Sequence, residues 1–346
     1  MRAALATTTV PCVAPRFAAR HSAHPARLRP RQTTTTMHAP RPLRRAIALG
    51  AIALLAACDS TTGPVEQPVP THDLLVVARV HGFDELFTVP LAGGPPQQLF
   101  PGEVNAHHPA PSPDGTQVAF FDLADDEIWT AARGGARVRN VSQFVDEVDL
   151  MPSWSPDGTR LAFASFRSGG SDIYVVNADG SGLRNLMPSE SPAVFFDDAP
   201  AWSPDGSRIA FSTDRAGYRA IWTMKPDGTD LVQVTADLNA RDYEPSWSPD
   251  GQRLVVRRVR WENGVARTDL AIVNVAGGTV TDLRQPGTER NPSWSPDGSW
   301  IAYSSDAIGA EDRVFTIRPD GSETVERAGG TAYGRHAVYP RWLRRR

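Results

Sequence analysis

The sequence predicts an all-β fold, a six-bladed β-propeller of four-stranded antiparallel blades, and three observations carry the prediction. A Pro-Ser-Trp-Ser-Pro-Asp-Gly motif recurs at near-constant spacing. Each recurrence is followed by further strand patterns and a second glycine turn. The two ends of the chain hold complementary parts of one more unit. Self-similarity at a fixed period denotes a modular array, and four strands in a unit of about forty-five residues is the size of a propeller blade.

The reference unit starts Pro152-Ser153-Trp154-Ser155-Pro156-Asp157-Gly158 and continues Leu161-Ala162-Phe163. Copies start at Pro109, Pro200, Pro245 and Pro292, and a truncated one, Tyr339-Pro340-Arg341-Trp342, stands at the C-terminus. Within a unit the first strand ends on Trp. Ser-Pro-Asp-Gly then forms a hairpin turn, because proline presets the first turn position, Asp bonds the turn backbone and Gly takes the φ > 0 position. A second strand follows, then a third such as Asp172-Ile173-Tyr174-Val175-Val176 or Ala220-Ile221-Trp222-Thr223-Met224. A second glycine turn closes each unit, at Gly93-Gly94, Gly134-Gly135, Asp179-Gly180, Asp227-Gly228, Gly277-Gly278 and Asp320-Gly321.

The first unit, from Asp73-Leu74-Leu75-Val76-Val77, lacks the Pro-x-Trp strand, and the C-terminal Pro340-Arg341-Trp342 has that strand and nothing after it. Joining the two completes a sixth blade and leaves no free sheet edge in the ring. The last strand is therefore expected to be the innermost strand of the first blade.

Pro-Ser-Trp-Ser-Pro-Asp-Gly-x-x-Leu/Ile-Ala-Phe, followed by Asp-Ile-Tyr-Val-Val-Asn-Ala-Asp-Gly, resembles the TolB-type β-propeller repeat, and the resemblance covers residues 73–346. It implies a protein or peptide partner near the cell envelope or the peptidoglycan. The same repeat also accompanies peptidases and lyases, since a fold does not fix an activity. TolB proteins carry a folded α/β domain ahead of the propeller, for which this chain is expected to have no room.

Ahead of the repeats, residues 1–36 hold Arg, Ala, Pro and a Thr run with no carboxylate, and read as a disordered or untranslated leader. Met37 opens a better start. Arg41, Arg44 and Arg45 form a basic segment, Ala46 to Ala57 an apolar run of 12 residues, and Leu55-Ala56-Ala57-Cys58 a small-residue cleavage site. That run is too short to span a bilayer, so residues 37–57 read as an export signal. The Leu-Ala-Ala-Cys ending resembles a bacterial lipoprotein box, which implies lipidation of Cys58 and a membrane anchor; the plain alternative is an ordinary secretory signal. Residues 58–72 form a Pro-rich tether to the 73–346 propeller.

The only other cysteine, Cys12, lies in the leader, so the propeller has neither disulfide nor thiol chemistry. The full chain carries a formal charge of −3. Residues 1–57 contribute nine arginines and no carboxylate, which leaves −12 on the rest. A domain this acidic repels a phosphate backbone, which excludes nucleic acid as a partner.

Trp154, Trp202, Trp247, Trp294 and Trp342 share one repeat position, taken by Pro111 in the first full copy. They read as wedges between blades in preference to a sugar-stacking ring, because a residue that the repeat demands serves the repeat. Three residues before the repeat proline stand Asp149, Asp197, Asp242 and Glu289, with Ala106 and Ala337 in the other two units. On the segment entering the innermost strand these four carboxylates are expected around the channel mouth, where they would focus a negative potential. His107, His108 and His336 fall on the segments that lack one. Three readings stay open: carboxylates bonding the backbone of their own strands, a docking site for a cationic partner, and a site for a divalent cation. Charged loops of variable length on the same face, including Arg167, Arg215 and Arg219, add recognition potential.

No Gly-x-Ser-x-Gly elbow, His-Glu-x-x-His, Cys-x-x-Cys or phosphate loop is present. The expectation is a monomeric, non-catalytic protein- or peptide-binding module of the envelope, lipid-tethered at Cys58 and without a cofactor. The alternative is a propeller lyase or hydrolase acting on polysaccharide or peptide through a divalent cation in the channel.

Overall fold

The computed structural model describes residues 72–345 apart from 81, 101–104, 136–137, 144–146, 188–194, 310 and 330–335. The leader, export signal, Cys58 and most of the tether lie outside the described residues. Within them the chain forms six four-stranded antiparallel sheets. Blade 1 holds β1 (His72–Val80), β2 (Phe83–Val89) and β3 (Gln97–Gln98). Blade 2 holds β4 (Ala106–Pro111), β5 (Gln117–Asp122), β6 (Glu127–Ala132) and β7 (Arg139–Asn140). Blade 3 holds β8 (Asp149–Trp154), β9 (Arg160–Ser165), β10 (Asp172–Asn177) and β11 (Arg184–Asn185). Blade 4 holds β12 (Asp198–Trp202), β13 (Ile209–Thr213), β14 (Ala220–Met224) and β15 (Val232–Gln233). Blade 5 holds β16 (Ala240–Trp247), β17 (Arg253–Glu262), β18 (Val265–Asn274) and β19 (Val280–Leu283). Blade 6 holds β20 (Arg290–Trp294), β21 (Ile301–Ser305), β22 (Arg313–Ile317) and β23 (Val325–Ala328).

The last strand, β24 (Ala337–Arg344), completes blade 1 by pairing with β1, with Trp342 opposite Leu74 and Arg341 opposite Leu75. The ring is thus latched by its two ends, as the complementary half-units require. Trp342 is 8% exposed and its indole N–H donates to the Ser293 carbonyl of blade 6 at 2.9 Å. Arg345 Nε adds a bond to Asp73 Oδ1 at 2.9 Å.

Each blade buries the alternating and continuous apolar runs of its middle strands, such as Leu161, Ala162, Phe163 and Ala164 of β9, against the sheets on either side. Strands buried on both faces need no polar alternation, which explains the unbroken hydrophobic runs. The motif tryptophans fill the seams. Trp154 Nε1 donates to the Ala110 carbonyl at 2.9 Å and Trp247 Nε1 to the Ala201 carbonyl at 3.0 Å, in each case in the preceding blade.

The Ser-Pro-Asp-Gly turns share one construction. In blade 3, Ser155 Oγ donates to Asp157 Oδ1 at 2.5 Å, which also accepts from the Thr159 backbone N–H at 3.0 Å, and Gly158 takes φ 69°. These bonds pull the Asp157 pKa down to about 2, so its charge serves the turn. The turns lie on one face of the ring. The loops entering the innermost strands, and the hairpins between second and third strands, lie on the other.

Candidate functional site

The innermost strands share an irregularity that positions everything on the ring axis. The residue before each repeat proline, His108, Met151, Ala199, Glu244, Asn291 or Tyr339, has a positive φ between 46° and 57°. At that point the pairing register slips in every blade. Proline has no N–H for the ladder and disfavours right-handed helical backbone in the residue before it, so the strand bulges there. A non-glycine residue in the left-handed region costs about 1 kcal/mol or more, and the same cost recurs in all six blades.

The bulges surround a cavity of about 290 Å³ to which every blade contributes, with His108, Met151, Ala199, Glu244, Asn291 and Arg341 on its wall. Between them stand repeat prolines, small Ala and Ser residues and the edges of Trp154, Trp202 and Trp247. The wall offers polar and apolar surface in nearly equal shares, with a small number of charged and polar side chains among prolines and tryptophan edges.

Three of those groups are titratable. Glu244 is already engaged: Oε2 accepts the Asn291 backbone N–H at 2.6 Å, and Oε1 lies 3.2 Å from Arg257 Nε. Arg341 forms no ion pair among the described residues. Its Nη1 donates to two backbone carbonyls, Pro340 at 2.9 Å and Asn291 at 3.4 Å. Burial pushes the Arg341 guanidinium down from its usual value, and Glu244 pulls the other way. His108 is held neutral, its pKa driven down to about 3 by burial and then by His107 and Arg341, and its Nδ1 has no partner. Its ring meets that of Tyr339 edge-on at 4.5 Å.

The carboxylates expected around the mouth are elsewhere. Asp149, Asp197, Asp242 and Glu289 are at most 2% exposed, and none is on the cavity wall. Asp149 receives Arg167 Nη2 at 2.5 Å, Asp197 takes Arg215 Nη2 at 3.0 Å on both oxygens, and Asp242 holds Arg258 Nε and Nη2 at 2.6 Å each. Burial raises Asp149 and Asp197 while their arginines pull back. The backbone N–H groups of Asp149 and Asp197 also donate to the preceding blade, at Asp126 and Ser171. The open acidic rim expected from the spacing is therefore a set of buried struts, because the bulge turns the chain after these residues and presents the next side chains to the axis.

Glu289 departs from its counterparts. Ala307 stands where Arg167 and Arg215 stand in blades 3 and 4, so the Glu289 carboxyl has only the Ser305 hydroxyl at 3.3 Å, and Oε2 has no partner. Burial, then Asp269, push its pKa up to about 7.

Of the three histidines, only His108 reaches the cavity wall. His107 Nε2 bonds Asp84 Oδ2 at 2.6 Å, and His336 Nδ1 lies 3.8 Å from Asp312 Oδ2. Among the described residues no three His, Cys, Asp or Glu side chains gather as ligands for an ion. Sequence reading passed over Met151, Ala199, Glu244, Asn291, Tyr339 and Arg341. The available signal was variability: within a nearly invariant motif, the residue before the proline changes in every copy.

Residues 93–332 match the TolB beta propeller domain family. A stretch of 134 residues is 31% identical to the "Protein TolB homolog" of Chlorobium luteolum, covering 35% of this chain and 29% of that protein. Among solved structures, TolB from Acinetobacter baumannii superposes with a TM-score of 0.67 at 19% identity over 79% of this chain and 66% of that one. An oligogalacturonate lyase in complex with manganese shares the fold at a TM-score of 0.53 and 16% identity, over 74% of this chain and 73% of that one.

Proposed function

Because the chain belongs to the TolB β-propeller domain family, we propose that it is a non-catalytic module of the bacterial cell envelope that binds a protein partner through a peptide segment entering the axial cavity. The observation that supports this most is the bulge repeated in all six innermost strands. Five of the six residues in this costly conformation, His108, Met151, Ala199, Glu244 and Asn291, present unlike side chains to one cavity, and blade 1 adds Arg341, while the proline that follows each of them is constant. The proline and the neighbouring blade set the bulge itself, and the variable chemistry of the side chains it turns toward the axis is what fits recognition.

A pull-down from solubilised envelopes, with the full chain as bait, tests the reading. Ala199→Tyr fills the cavity with a side chain that Tyr339 already carries at the equivalent φ. The variant should fold normally and lose the partner. Retention of the same partner by Ala199→Tyr would move binding away from the axis.

The export signal expected at residues 37–57, together with the family, supports placement in the envelope. Lipidation of Cys58 would keep the propeller at a membrane surface, since each buried methylene adds about 0.8 kcal/mol. Mass spectrometry of the mature N-terminus should find acylated Cys58, and a start at any other residue would remove the anchor.

A further inference from the structure

We propose that the axial cavity is a carboxylate receptor with Arg341 as its anchor, so that the segment it takes is acidic, either through an Asp or Glu side chain or through a free C-terminus. This rests on the functional reading above and specifies the chemistry of the partner.

Arg341 stands one residue after the repeat proline. In the other five blades that position is Ala110, Ser153, Ala201, Ser246 or Ser293. Those residues suit the wall because they sit where strands of successive blades approach closely. The Ser153 and Ser246 hydroxyls accept the backbone N–H groups of Trp202 and Trp294 in the next blade, at 3.3 and 3.0 Å. The closing strand alone replaces a small residue with a long cation, which the repeat does not ask for.

Charge balance points the same way. The wall carries one carboxylate, Glu244, and one guanidinium, Arg341. Glu244 faces Arg257 and spends its other oxygen on Asn291 N–H. Arg341 has only backbone carbonyls, both on Nη1. Its Nε and Nη2 donors are left without a protein acceptor among the described residues, although a guanidinium offers five donors in a fixed fork that matches a carboxylate. The cavity therefore holds one surplus positive charge inside a domain of strongly negative net charge. An anion entering it exchanges water for a paired cation in a poorly solvated space, where a charge-assisted bond is strong. A volume of about 290 Å³ admits a side chain or a chain terminus.

The test probes the full chain with immobilised pentapeptides made in matched forms: Asp or Glu against Asn or Gln, each with a free or an amidated C-terminus. Binding should require a carboxylate, and the two arms tell a side chain from a terminus. Arg341→Gln should weaken the acidic peptides roughly 10- to 100-fold, the worth of one charge-assisted bond, and Arg341→Lys should fall between. If amide peptides bind as well as acids and Ala199→Tyr abolishes both, the carboxylate assignment is wrong and the peptide-binding reading stands. If no peptide binds in any form and envelope pull-downs are empty, both fail. Should Arg341→Gln not fold, the acid-to-amide comparison on the unaltered chain decides alone.

Discussion

At the scale of single residues, the carboxylate at the head of each innermost strand shows how one sequence position meets different fates. In blades 3, 4 and 5 it is neutralised by Arg167, Arg215 or Arg258. In blade 6 the arginine is replaced by Ala307, and Arg267 is held instead by Asp269 at 2.7 and 2.9 Å. Glu289 thus has a folded pKa of about 7 against an ordinary 4.5. The folded state then binds the proton more tightly than the unfolded chain, so Glu289 leaves stability intact below about pH 4.5 and erodes it as pH rises through 7. The erosion is at most about 3 kcal/mol. Glu289→Gln keeps the partner hydroxyl without the charge. Its melting temperature should exceed that of the parent at pH 8 and approach it at pH 5. Equal melting at pH 8 would mean that Glu289 ionises without penalty.

At the scale of elements, most of each blade was legible in the sequence. Turn chemistry marks both hairpins: Gly228, for example, has φ 83°, and a Cβ there would come within 2.3 Å of the Leu186 carbonyl oxygen in the neighbouring blade. Only glycine satisfies both conditions, so the residue announces turn and seam together. Reading Trp154 and its equivalents as wedges also matches their buried positions, and for Trp154, Trp247 and Trp342 the indole N–H meets a backbone carbonyl of the preceding blade. The bulge before the proline was not legible. Residues as unlike as Met151, Glu244 and Tyr339 share one φ, which arises from the proline's missing N–H and the closeness of the neighbouring blade, not from their own preferences. Asp149 was expected at the mouth because its segment enters the innermost strand, but its side chain is buried against Arg167 and the residue at the bulge, Met151, lines the cavity.

At the scale of the whole molecule, closure by β24 decides whether the axis exists. The strand pairs with β1, seats Trp342 against blade 6 and delivers Arg341 to the cavity. A chain ending at Arg335 would leave β1 as an open edge and one seam unfilled. It should unfold in a broad transition whose midpoint differs between tryptophan fluorescence and circular dichroism, whereas the full chain gives one coincident transition. A truncated chain that melted as sharply and as high as the full one would show the latch to be dispensable.

The sequence by itself determined the number of blades, the turns and the latch, because these follow from period, backbone-restricted residues and complementary ends, all of them local or countable. Only the tertiary structure decided which side chains meet on the axis. Convergence there depends on a bulge imposed by adjacent blades and on which carboxylate finds an arginine across a seam, and neither is a property of the strand that carries the residue.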